Sequence, residues 1–129
     1  MAVTENNSVQ EYKAIVSVLE NYVEGLRTGN IERLKKSFHQ DAIMYGYWEE
    51  YFIEGGISNL YDSVEKHGAA PHFSTHIDIL DKTENTALAR IRYERNAADK
   101  DGVDYHSLIK VKGEWKVISK LFQISVKQY

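Results

Sequence analysis

The chain has 129 residues, 43 % of them hydrophobic and 27 % charged, with a formal net charge of −3, so a single soluble domain over 1–129, large enough for its own core, is expected. There is no cysteine, which rules out disulfides and thiolate chemistry, and the scattered basic residues speak against nucleic-acid or anionic-membrane binding. No window approaches the roughly 20 apolar residues of a membrane helix, and "MAVTENNSVQ" has neither the basic region nor the apolar run of a secretory signal, so a cytoplasmic location is expected.

Residues 1–7 are polar, and a frayed or disordered end is expected there. Ser8 and Glu11 have capping-box spacing, in which each side chain serves an orphan backbone donor. Val9, Tyr12, Ile15, Val16, Leu19, Tyr22, Val23 and Leu26 then recur in steps of three and four, which predicts a helix over 8–28 with one apolar stripe. Gly29 suits the left-handed position past its end. Asn30 can cap a short second helix that buries Ile31, Leu34 and Phe38.

"DAIMYGYWEEYFIEG" is rich in aromatic and β-branched residues and reads as extended. "GISNLYDSVEKHG" returns to helical spacing through Ile57, Leu60, Tyr61 and Val64, with Gly68 as its stop. From Phe73 onward the pattern is strand. "FSTHIDIL" comes first, then "TALARIRYERN", then the pair "VDYHSLIKV" and "EWKVISKLFQISV" around a Lys112-Gly113 turn. Helices followed by antiparallel strands make an α+β fold, with the helices packed on one face of a curved sheet. Such a cone has a natural pocket in its mouth.

Two stretches, "YVEGLRTGNIERLKKSFHQDAIMYGY" at 22–47 and "DYHSLIKVKGEWKVISKLF" at 104–122, give the chain a family look. It resembles the nuclear transport factor 2-like superfamily, which includes scytalone dehydratase, ketosteroid isomerases and polyketide cyclases. Within it the chain is most similar to the small SnoaL-like proteins named for lumazine binding. The first stretch matches the family's helix, short helix and "FHPDA"-like lead into a strand, with Gln40 where proline is common. The second matches its Asp-Tyr, Gly-x-Trp and terminal hairpin, with Ser119 where asparagine is common. The resemblance implies a cone-shaped cystatin-like roll. It does not imply one chemistry, because the superfold hosts several.

A two-residue turn at Lys112-Gly113 would set Asp104 opposite Leu121 and His106 opposite Ser119 on one side. The resemblance puts that side inside the cone. Ile109, Ile118 and Phe122 would then lie on the outer face as a homodimer contact. His106 is a candidate general base, with Asp104 to orient it or to act as the base itself. The plain alternative is a satisfied buried His106–Ser119 pair with the Asp104 carboxylate near the rim. Tyr45, Tyr47 and Trp48 belong to the densest aromatic run and could be core or a stacking wall for a flat ligand, with Tyr22 facing the same space. His76 and Ser119 complete the candidate ligand set. A metal site at His72 and His76 is conceivable, but no ligand motif supports one, so neither a metal nor a cofactor is expected. His39 reads as a backbone partner, and His67 as a cation at a helix end.

Three functions stay open. The first is a domain that binds a small hydrophobic or aromatic molecule. The second is a cofactor-independent isomerase, dehydratase or cyclase with an Asp/His base. The third is a structural dimerisation or partner-binding module.

Overall fold

The computed structural model describes residues 3–125, with side chains from Ser8 onward. Helix α1 spans Val3–Thr28 and α2 spans Ile31–Ser37. Two strands, β1 (Phe38–Trp48) and β2 (Tyr51–Gly56), precede helix α3 (Ser58–His67). Four more strands follow: β3 (Ser74–Lys82), β4 (Thr86–Glu94), β5 (Asp101–Val111) and β6 (Glu114–Ser125). The α+β expectation holds: three helices pack with one curved, unclosed sheet of order β2-β1-β6-β5-β4-β3.

Helix α1 starts earlier than its cap signal. Ser8 lies inside it, because no Gly or Pro separates Val3 from Ser8 to stop the helix. The frayed end expected at 1–7 is thus helical from Val3, and residues 1–2 lie outside the described residues. The apolar stripe is real but is buried only from Ile15 onward, with Val9 and Tyr12 exposed. Gly29 sits at φ 72°, and Asn30 caps α2 by accepting a hydrogen bond from the Arg33 amide. Lys112 and Gly113 both have positive φ, as a tight hairpin turn of this type requires.

The sheet is not wholly antiparallel. β1 runs parallel to β6, reached by way of β2, α3 and three further strands, while the other neighbours are antiparallel. This places the aromatic 38–56 segment in the sheet beside the terminal hairpin. One core unites the helices with the inward strand residues, including Ile15, Leu19, Leu34, Ile91, Leu108 and Val117.

Candidate functional site

The terminal hairpin sets the site, and its register holds a break. Pairing runs as expected from Val111–Glu114 to Leu108–Val117, then shifts by one residue, so that Ser107 faces Ser119 and His106 faces Lys120. Ile118 is the extra residue of a bulge. Beyond it every β6 side chain is on the opposite face from the one an unbroken hairpin would give. Lys120, Phe122 and Ile124 turn inward and are buried, while Ser119 and Leu121 turn outward. Ser119 therefore leaves the cone, and Phe122 leaves the outer face. Ile109 and Ile118 do lie on that outer face, half-buried and exposed respectively.

Asp104 and His106 point into the cone, and both are fully buried. Asp104 Oδ2 accepts a short hydrogen bond from the Tyr22 hydroxyl across the core. Lys120 Nζ lies 3.4 Å from Asp104 Oδ1 in an ion pair that makes no hydrogen bond, so Oδ1 keeps a free acceptor position. His106 Nε2 stands 3.6 Å from Oδ2, too far for a hydrogen bond, and neither ring nitrogen of His106 has a partner. The His106 ring packs edge-on against Tyr22, with centroids 4.7 Å apart. Lys120 Nζ also lies 3.9 Å above the centre of the Phe122 ring, a cation–π contact. Four polar side chains thus converge where the core would otherwise be apolar.

Their electrostatics follow from that burial. Loss of water alone would push the Asp104 carboxyl up. The Lys120 charge, His106 and the Tyr22 hydroxyl outweigh it, and the net shift is downward. Burial first, and the Asp104 charge second, hold the Tyr22 hydroxyl well above its usual range, so it stays a donor. Tyr93 is raised by burial and then by the charges of Asp104 and Asp101. A depressed carboxyl stabilises the fold fully above its unfolded-state value, and this contribution is lost as pH falls through the lower folded one. Denaturant titrations of wild type and Asp104→Asn at several pH values should therefore show a stability gap at neutral pH that closes in acid. Taking the difference matters, because Glu11 and Asp78 are also depressed and contribute to both curves. A gap independent of pH would contradict the assignment.

A pocket opens onto this cluster. Tyr22, Tyr93 and Lys120, all nearly inaccessible, form its floor. Leu26, Leu60, Val64, Phe73 and Ile124 make apolar walls. Trp48, His67, Asn96 and Ala97 stand at the mouth, where the Trp48 and His67 rings stack at 5.3 Å and 25°. The free space is about 70 Å³, well below the roughly 300 Å³ of a typical drug-sized pocket. The space is narrow and is bordered by the stacked aromatic rings at the mouth.

Of the residues singled out from sequence, Tyr22 and Trp48 line this pocket, and Asp104 and His106 lie behind its floor. Tyr45 and Tyr47 do not meet them. They are exposed on the outer face and pack against Phe52 from β2. The inward positions of β1 that alternate with them hold Met44 and Gly46, and at Gly46 Phe122 of the neighbouring strand fills the room a side chain would need. His76 is also outside, exposed and 3.2 Å from Asp78. His39 accepts from the Asp41 amide, a backbone role. Among the described residues no cluster of three His, Asp or Glu is placed to hold a metal, and no helix is long and apolar enough to cross a membrane.

Sequence reasoning missed Lys120, Tyr93 and the contribution of α3. A signal for Lys120 was present. Trp115 and Val117 are odd-numbered, while Phe122 and Ile124 are even, so the apolar alternation changes phase between them and carries Lys120 inward.

The family model described as "Putative lumazine-binding" matches residues 10–123. The chain belongs to this family. It is 33 % identical over 112 residues to Aldolase FrzH from Cladobotryum sp, an alignment covering 87 % of this chain and 90 % of that protein. A crystal structure of an NTF2-like protein of unknown function from Shewanella baltica OS155 superposes with a TM-score of 0.85 at 29 % identity, covering 92 % of this chain and 97 % of that one. An NTF2-like protein of unknown function from Methylobacillus flagellatus KT gives a TM-score of 0.85 at 28 % identity, covering 92 % and 94 %. The superfamily resemblance drawn from the two sequence stretches therefore holds.

Proposed function

We propose that the cone pocket binds a small, mostly apolar carbonyl compound with its oxygen at Lys120, and activates it for proton transfer at the adjacent carbon. The observation that carries this reading is a buried lysine on the floor of an apolar pocket, ion-paired to a carboxylate that retains a free acceptor position. Breaking a C–H bond next to a carbonyl moves negative charge onto the oxygen. A fixed cation in a water-poor site stabilises that charge far more than it would in water. Asp104 Oδ1 is the base nearest to Lys120 Nζ. The Tyr22 hydroxyl fixes the other carboxylate oxygen, so the base keeps one orientation.

The relatives support the same class. Aldolase FrzH is named as an aldolase, and an aldol addition uses a carbanion made by such a proton loss; the family's description points to small-molecule binding. The flat Trp48–His67 rim suits a ring or a conjugated tail on the ligand. This reading moves the catalytic emphasis from an Asp/His pair to an Asp/Lys pair, with His106 packed behind.

The test is hydrogen exchange into a simple ketone. Butanone in deuterated buffer is followed by proton NMR with wild type and with Asp104→Asn, each checked for folding. Wild type should exchange the α-protons above the buffer rate and Asp104→Asn should fall to that rate, a loss of at least about a hundredfold where a base is removed. Equal exchange in both proteins would overturn the role of Asp104, and no exchange by wild type would overturn the activity.

A further inference from the structure

Lys120 does not need to be a nucleophile for the reading above, yet its surroundings suit one. A lysine amine attacks carbonyl carbon only without its proton, so it needs a base within reach and an environment poor in water. Lys120 has both: its side chain is 5 % accessible, and Asp104 Oδ1 lies 3.4 Å from Nζ with no hydrogen bond of its own. The Phe122 ring covers one side of the amine at 3.9 Å. The lining of the pocket includes the same lysine.

We infer that Lys120 condenses with the carbonyl carbon of its ligand to form a Schiff base, which makes the ligand class apolar ketones and aldehydes. This rests on the carbonyl reading of the pocket. The atoms balance without any outside oxidant or reductant. Asp104 takes one proton from the ammonium, and the free amine forms a C–N bond as the carbonyl π electrons move to oxygen. Asp104 returns that proton to the oxygen, giving a hydroxyl on the carbon. It then takes a second proton from nitrogen and passes it to the hydroxyl, which leaves as water. The third proton stays on the iminium nitrogen, and Asp104 ends as the carboxylate it began as. The iminium withdraws electrons from the neighbouring carbon, so the same Asp104 can remove the α-proton.

The experiment is reductive trapping of the full-length protein with butanone and sodium cyanoborohydride, read by intact mass and then by peptide mapping. The expected result is a single reduced adduct on Lys120, in excess over any surface lysine by on the order of tenfold. Lys120→Arg, which keeps a cation beside Asp104, should lose that adduct while its surface lysines label as in wild type. If the variant fails to fold, the position of the adduct in wild type decides alone. Trapping at Lys120 no greater than at surface lysines would overturn the Schiff base. Wild type that exchanges α-protons but is not trapped leaves the carbonyl reading standing and removes only the covalent step. Wild type that does neither removes both.

Discussion

Asp104→Asn is expected to cost about 3–5 kcal/mol of folding stability at neutral pH, a large share of what a domain of this size has. The replacement nearly keeps the shape of the side chain but removes its charge. Lys120 is then left as a buried cation, with its side chain 5 % accessible and no other carboxylate paired with it among the described residues. The Tyr22 hydroxyl keeps an acceptor, so the loss isolates the charge pairing. Lys120→Met should cost less, because Asp104 keeps its hydrogen bond from Tyr22. The double variant should be more stable than the two single losses predict when added, since neither charge then lacks its partner. Urea denaturation of all four proteins measures the interaction. Strict additivity would mean that the pair contributes nothing.

Gly46→Ala should be the most damaging conservative change in the sheet, at about 3 kcal/mol, the upper end for overpacking. Gly46 faces inward from β1, and a methyl group there would stand 2.2 Å from the Phe122 carbonyl oxygen and 2.6 Å from its ring. A backbone oxygen in a paired strand cannot turn aside as a side chain can. Relief would require β1 to draw away from β6, along the pairing that joins Gly46 to Phe122. The site would shift too, because the Phe122 ring carries Lys120 Nζ. A fall in the denaturation midpoint worth less than about 0.5 kcal/mol would show that the strands separate freely.

Much of the fold was legible in the chain because its signals are local. The helical stripe through Ile15, Leu19 and Tyr22, the Asn30 cap and the Lys112-Gly113 turn each depend on a few adjacent residues, and each stands where it was read. That Asp104 and His106 share one face was legible for the same reason, since β5 keeps one alternation through this stretch; that this face is the inner one was implied by the family resemblance. What lay across from them was not. A single bulged residue, Ile118, reversed the faces of Ser119 and Phe122 and put Lys120 where Ser119 was expected. Tyr45 and Tyr47 were misplaced by a sound bias, that aromatic residues seek the interior. The narrow cone takes glycine there instead, and that depends on Phe122 from a strand far along the chain. The parallel pairing of β1 with β6 has no local signature either.

The central claim is that a ligand carbonyl reaches Lys120 at the floor of the cone. Carbon-13 NMR of butanone labelled at its carbonyl carbon reads this directly, because that resonance responds to charge on the oxygen and to bonding at the carbon. Titrating wild type into the labelled ketone should give a saturable displacement of the carbonyl signal, or a separate bound resonance. Folded Lys120→Met should leave the signal at its free position. A displacement that persists undiminished in Lys120→Met, or no displacement by wild type at millimolar ketone, would contradict the account.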